Sequence, residues 1–337
     1  MARLRRSRPG TAGLQRIASG RGFRFVTAEG KPASEEDRAR ARALAIPPAW
    51  KNVWICPWAN GHIQATGEDS AGRLQYIYHP DWVERREQVK YEHVLDFAER
   101  LPKLRAWCTE ALAGRGLTRE RVTATALRLL DLGLFRIGED QYDRDSGTRG
   151  LATLTGDDVR FRKGRAVFRY TAKGGLTRTY EVSDPDVVSV LKALRRRAGR
   201  GRLLTYYASK RWHALHSSDI NEALRAVVGM EASAKDFRTW HATVLAAVGL
   251  AVSELAPDNP TARRRAVARA VTEVSAYLGN TPAVCRRSYI DHRVIDRYLD
   301  GETISTALDA LGRDNAPGSA ATDGPVERSV LRLLRGA

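Results

Sequence analysis

Residues 279–292 read Gly-Asn-Thr-Pro-Ala-Val-Cys-Arg-Arg-Ser-Tyr-Ile-Asp-His, and the rest of the chain is organised around this stretch. A basic run with apolar residues at helical spacing, from Ala262 to Leu278, ends at the helix-stop pair Gly279-Asn280. Thr281-Pro282 then restarts a helix, with Thr as N-cap and Pro at the first helical position. That short helix carries Tyr289, with Arg286, Arg287 and Arg293 close in sequence. A phenol among guanidiniums suits a nucleophile for a phosphodiester, because cations stabilise both the phenolate and the attacked phosphate. A tyrosine half-buried against its neighbours would fit the same local sequence, so the decision falls to residues elsewhere.

The chain has 337 residues, 43% of them hydrophobic, which allows one or two domains with real cores. Its 56 basic residues against 39 acidic ones leave a formal charge of +17. That excess points to a polyanionic partner, nucleic acid ahead of a membrane surface. No run approaches the ~18 apolar residues of a membrane-spanning helix, and the basic N-terminus lacks the apolar core of a secretion signal. Cys56, Cys108 and Cys285 form neither a metal-ligand spacing nor an even disulfide set, so a reduced, cytoplasmic setting is expected. Arginine outnumbers lysine 47 to 9, which draws attention to each lysine. The chain shows no Walker-type phosphate loop, no His-Glu-x-x-His and no paired acidic metal site, so neither metal nor other cofactor is expected.

Taken in order, residues 1–20 read as a basic flexible arm. Strand-like segments follow at Phe23–Val26, Trp54–Pro57, His62–Thr66 and Leu74–Tyr78, with a loop over 65–73. Between the first two lies a helix opened by a capping box at Ser34 to Asp37 and stopped by Pro47-Pro48. This small β-rich domain is expected to span 21–88. Residues 89–312 form a larger, mainly helical domain. Val94, Leu95, Phe97, Ala98, Leu101 and Leu104 recur at helical spacing, and so do Val122, Leu127, Leu129, Leu130 and Phe135. A short antiparallel β patch interrupts the helices from Val159 to Val182, turning at Lys163-Gly164 and Lys173-Gly174-Gly175. Helices resume at Asp219. Residues 313–337 read as a flexible tail with a short terminal helix at Val330 to Leu334. The expected fold class is therefore α+β.

Three further places stand out by chemistry. Arg136 lies at a helix end before a Gly-rich polar loop that includes Tyr142 and Gly147 to Leu151, an arrangement able to hold a phosphate. Lys173 sits at a glycine-flanked hairpin tip, where a solvated turn lysine is the ordinary alternative. The segment Lys235 to His241 opens a long helix with core positions at Val244, Leu245, Val248 and Leu250. Arg238 in its first turn opposes the helix dipole, so a compensating negative group is expected nearby.

Together these residues resemble the type IB DNA topoisomerases of the small bacterial and poxvirus type. The resemblance covers residues 20–310 and rests on five motifs in order. These are Gln64 to His79 (QATGEDSAGRLQYIYH), Arg136 to Tyr142 (RIGEDQY), the Ala172-Lys173-Gly174-Gly175 hairpin, Lys235 to Thr243 (KDFRTWHAT) and Thr281 to Ile290 (TPAVCRRSYI). It implies a tyrosine recombinase/topoisomerase IB-like catalytic domain acting as a monomer that clamps double-stranded DNA, with nucleoid association and no membrane. It implies Tyr289 as nucleophile, Arg136 and Arg238 on the non-bridging oxygens, Lys173 as general acid, and Lys235 assisting. Gln75, Tyr76, Tyr78, Tyr142 and Lys235 are implied as DNA contacts. Asn280 stands where many members carry a histidine, keeping a donor but losing the titratable ring. The implied activity is ATP-independent relaxation of positive and negative supercoils through a 3′-phosphotyrosyl intermediate. A tyrosine recombinase or integrase would share the catalytic set, although the Gln64 to Tyr76 signature speaks against it; a non-catalytic basic DNA-binding protein would share only the charge.

Overall fold

The computed structural model describes residues 3–132, 135–139, 147–253, 259–308 and 324–336. The chain divides into two units, residues 1–92 and 93–337.

In the first unit, short alternating segments pair into an antiparallel sheet. Its strands are β1 (Leu14–Ser19), β2 (Gly22–Val26), β3 (Lys51–Ile55), β4 (Ile63–Glu68) and β5 (Leu74–Tyr78), in the order β2-β1-β3-β4-β5. Helix α1 (Glu35–Ala43) covers one face. Ala41 and the following Ile46 pack with Leu14, Phe25, Val53, Ile55 and Ala65. Ser34 caps α1 by accepting from the Asp37 amide at 3.1 Å, as its sequence predicts. The helix stops at Ala43, ahead of the proline pair.

Two expectations are corrected here. The N-terminal segment is not a free arm: residues 14–19 are the strand between β2 and β3. Further upstream, Ser7 is buried and its hydroxyl donates to the Ile63 carbonyl at 2.9 Å, while the Arg5 amide donates to Asn60. Basic side chains disguised a segment whose backbone is paired. The loop expected over 65–73 is also shorter, because β4 runs to Glu68 and Asp69 closes the turn by accepting from the Ala71 and Arg73 amides.

Helix α2 (Pro80–Ala113) contains the division between the units, and α3 (Arg119–Asp131) follows it. The β patch is a meander of β6 (Val159–Arg162), β7 (Arg165–Ala172) and β8 (Leu176–Val182). Alternate β7 residues Ala166, Phe168, Tyr170 and Ala172 are buried, which leaves Lys173 at the rim. Next come α4 (Pro185–Ala198), a hairpin of β9 (Thr205–Ala208) and β10 (Arg211–Ala214), and α5 (Ser217–Val228). Neither α4 nor this hairpin is among the expected elements, although Asp184 caps α4 and Val187, Val188, Leu191 and Leu194 form its buried stripe. The remaining helices are α6 (Ala234–Val252), α7 (Pro260–Leu278), α8 (Pro282–Ser288), α9 (His292–Leu299) and α10 (Pro325–Arg335). The tail expectation is corrected as well: α10 buries Val326, Val330 and Leu334 in the core of this unit. Residues 313–323 of that tail lie outside the described residues. Among the described residues, no helix is long and apolar enough to cross a membrane. The observed class is α+β, with small antiparallel sheets beside a mainly helical core.

At the base of α3, Asp131 is 7% exposed and accepts from Arg105 Nε at 2.7 Å and Nη2 at 3.0 Å. His241 Nε2 lies 3.6 Å from the same carboxylate. Burial by itself pushes the Asp131 carboxyl up, but the His241 and Arg105 interactions outweigh it and hold it below the usual carboxylate range. A depressed folded pKa contributes stability that is present above the unfolded value of about 3.9 and is lost as pH falls through the folded one. Asp131→Asn should therefore flatten the fall of the thermal midpoint as pH drops from about 5 to about 2. A parallel decline in variant and parent would show that this carboxylate does not couple folding to protons.

Candidate active site

The site is built on helix ends. Helix α7 finishes at Leu278, with Gly279 in the left-handed conformation (φ 67°). Asn280 and Thr281 form the link, and Thr281 caps α8 by accepting from the Val284 amide at 3.3 Å. Tyr289 is the C-cap of α8, its amide donating to Cys285 O at 3.0 Å. Cys285 and Ile290 are fully buried and anchor the two sides of the turn. Thr243 of α6 accepts from the Asp291 amide at 3.1 Å and donates to Tyr289 O at 3.4 Å. The tyrosine backbone is thus pinned while its ring stays half-buried at the surface of a cleft.

Two arginines from distant segments meet the carbonyl end of α7. Arg238 of α6, only 4% exposed, donates from Nη2 to Leu278 O at 2.7 Å. Arg136 donates from Nη2 to Gly279 O at 3.1 Å and to Asn280 Oδ1 at 2.6 Å. Among the described residues, the partially negative group that Arg238 meets is the carbonyl end of α7. Burial, together with the charge of Arg136, pulls the Arg238 pKa below its ordinary value. A guanidinium only donates, so the Asn280 atom facing Arg136 is the oxygen and Nδ2 points away. That Nδ2 is buried and has no hydrogen-bond partner among the described residues.

One open cleft of about 290 Å³ gathers Arg136, Lys173, Lys235, Arg238 and Tyr289, with Thr148 and Arg149 beside them, while Asn280 sits behind Arg136 and outside the lining. The Arg238 guanidinium lies 5.6 Å and the Lys235 ammonium 6.0 Å from the centre of the Tyr289 ring. The arginines adjacent in sequence play a different part from the one expected. Arg286 and Arg287 are exposed, and Arg293 pairs with Asp291 at 2.7 Å. The cations around the phenol come from α6 and from the segment after α3, which local sequence cannot reveal.

Arg136 is placed by a contact between two glycines. Gly138 (φ 77°) and Gly150 touch so closely that a Cβ on Gly150 would lie 2.5 Å from the Gly138 Cα and 2.7 Å from Arg136 O. The Leu151 and Ala152 amides donate to Arg136 O and Ile137 O at 2.8 and 2.7 Å. Phe135, fully buried, meets Phe168 edge-on at 5.0 Å and Tyr180 at 5.2 Å. Arg149, which the sequence placed only within a Gly-rich loop, donates from Nη1 to both Asp158 oxygens, at 2.8 and 2.9 Å.

Of the expected DNA contacts, Tyr76 and Tyr78 stand exposed on one face of β5 with rings stacked at 5.8 Å. Gln75 does not share that face. Strand alternation turns it to the other side, where Nε2 donates to Asp69 Oδ2 at 2.9 Å. Tyr142 lies outside the described residues.

A tyrosine held beside fixed guanidiniums in a basic cleft defines a site for phosphoryl transfer to a phenol. The family described as "Eukaryotic DNA topoisomerase I, catalytic core" matches residues 80–306, and "Bacterial DNA topoisomerase IB, N-terminal domain" matches residues 22–69. The DNA topoisomerase 1B of Acanthamoeba polyphaga mimivirus is 26% identical over 294 residues, covering 85% of this chain and 87% of the relative. The DNA topoisomerase 1 of Rabbit fibroma virus (strain Kasza) is 23% identical over 248 residues, covering 72% and 74%. The chain belongs to the type IB DNA topoisomerases. It relaxes positive and negative supercoils by transient single-strand cleavage through a 3′-phosphotyrosyl intermediate, swivelling and religation, without ATP.

The glycine contact yields a direct test. Gly150 has ordinary extended angles (φ −139°), so Gly150→Ala adds only the steric clash. Displacing Arg136 should lower the single-turnover cleavage rate by roughly 10²-fold at temperatures where the variant is still folded, with a modest drop in thermal midpoint from the overpacking. Cleavage at the parental rate would show that Arg136 is not held by this contact.

Proposed function

We propose that Tyr289 is the nucleophile of this reaction, and that Arg136, Arg238, Lys173, Asn280 and Lys235 form its catalytic surround. The observation that carries this reading is the convergence of Arg136, Lys173, Lys235, Arg238 and Tyr289, from separate parts of the sequence, on one cleft. Tyr289 Oη loses its proton to solvent as it attacks the scissile phosphorus, the P–O5′ bond breaks, and one phosphodiester is exchanged for another. Bond energy is conserved, so the same site can run the reverse step with the 5′-hydroxyl as nucleophile. Arg136 and Arg238 take the non-bridging oxygens, where planar, permanently charged guanidiniums hold the charge of the transition state without reorganising. Asn280 offers its free Nδ2–H to the same phosphate, oriented by Arg136 on its oxygen.

Lys173 supplies the proton to the departing O5′. An alkoxide leaves far less readily than a phenolate, whose parent pKa is about 10, so the leaving oxygen requires an acid and the entering one does not. Lys235, one helical turn from Arg238, supports the developing phenolate. The exposed faces of Tyr76 and Tyr78 contact the duplex from the N-terminal unit. The enzyme acts as a monomer with both units on one duplex, in the cytoplasm and associated with the nucleoid.

Two substitutions test these roles. Lys173→Ala should cleave an ordinary duplex slowly, by roughly 10²–10⁴-fold, and recover nearly the parental rate when sulfur replaces the bridging 5′ oxygen. Equal slowing on both substrates would reduce Lys173 to a phosphate clamp. At Asn280 the alternative is a helix-stop role, for which glycine is an excellent substitute. Asn280→Gly and Asn280→Ala should both lose roughly 10²-fold in cleavage with duplex affinity unchanged. Retained cleavage in the glycine variant would remove Asn280 from the site.

A further inference from the structure

The C-terminal helix α10 carries an acidic side chain into the interior. Glu327 is 6% exposed, and its Oε1 accepts from Trp240 Nε1 at 2.7 Å. Its two oxygens also accept from Arg105, at 2.6 and 3.2 Å. Arg105 in turn binds Asp131, so α2, α3, α6 and α10 meet at one polar knot within an apolar core. At the far end of α10, Arg335 pairs with Asp96 at 2.6 Å and Glu99 at 3.1 Å, which fixes its direction along α2.

Burying a carboxylate is costly even when it is paired, and an apolar residue of similar size often stabilises as well. A retained buried charge therefore suits a task of placement. Trp240 stands two residues beyond Arg238 on α6, which at 100° per residue puts it on the opposite side of the helix. Holding the indole sets the rotation of α6 about its axis, and that rotation aims Arg238 at the cleft.

We propose that Glu327 is a positioning residue for strand cleavage, acting through the Trp240 indole on the aim of Arg238. The inference rests on the reading that Arg238 holds the scissile phosphate. Through this contact the last helix of the chain, 87 residues from Trp240, takes part in the chemistry without touching DNA.

The test compares full-length Glu327→Ala, Glu327→Gln and Trp240→Phe, each with and without Arg238→Ala, on a nicked-product duplex under single turnover. Glu327→Ala should slow cleavage by about 10–10²-fold with duplex affinity within about threefold, the scale expected of a misaimed group. Glu327→Gln keeps an acceptor for the indole and should restore most of the rate. In the Arg238→Ala background neither Glu327→Ala nor Trp240→Phe should slow cleavage further, because residues acting as one unit are not additive. Parental cleavage by Glu327→Ala, or an equal defect in both backgrounds, overturns the proposal. If Glu327→Ala fails to fold, Trp240→Phe decides: it removes the N–H donor and leaves a smaller ring in the core, and parental cleavage by it is equally fatal. Full activity of Arg238→Ala alone would instead overturn the reading of the site.

Discussion

The carbonyl end of α7 is the constraint on which the catalytic unit depends. A helix leaves its last carbonyls without partners, and their aligned dipoles make that end partially negative. Here Leu278 O and Gly279 O are taken by Arg238 and Arg136, two like charges that would otherwise repel in a partly desolvated cleft. A helix terminus favours a nearby cation by about 0.3–1 kcal/mol at the surface and up to about 2 kcal/mol when partly buried. That is enough to help order the guanidiniums at the helix end. The left-handed Gly279 (φ 67°) makes the geometry possible, in a backbone conformation that residues with side chains rarely adopt. From there three residues of chain reach the start of α8, whose last turn presents Tyr289 to the same cleft.

The site is rigid where it must be and open where it must receive a substrate. Buried anchors flank the groups that meet in the cleft: Phe135 before Arg136, Ala172 before Lys173, Phe237 before Arg238 and Ile290 after Tyr289. Each neighbour is fixed by core packing, so the backbone positions of the reactive groups follow from apolar burial that no charge can disturb. Charge is then laid over that frame. The +17 excess attracts the polyanion, whereas in the proposed mechanism transition-state stabilisation comes from the few cations whose geometry is held.

Much of this was legible in the sequence because the signals are local. The Gly279-Asn280-Thr281-Pro282 punctuation marks the α7–α8 boundary at the correct residues, and the alternation from Val159 to Val182 gives the meander with Lys173 at its turn. The readings that failed concern long-range pairing. Residues 14–19 look like a basic arm until β3 is placed beside them. Arg286, Arg287 and Arg293 sit next to Tyr289 in sequence, but Asp291 takes one and solvent the others. Helix α10 was readable as an amphipathic segment, yet nothing local shows that Glu327 faces inward to Trp240 and Arg105.

The central claim is that this architecture delivers Tyr289, and no other side chain, to the scissile phosphate. It is tested most directly by trapping the covalent complex on a nicked duplex whose short 3′ fragment dissociates after cleavage. Digesting the trapped protein and sequencing the DNA-linked peptide by mass spectrometry identifies the attached residue. The account predicts a single adduct on Tyr289 joined to the 3′-phosphate, with a free 5′-hydroxyl on the released strand. An adduct on any other residue, or a 5′-phosphate linkage, would contradict it.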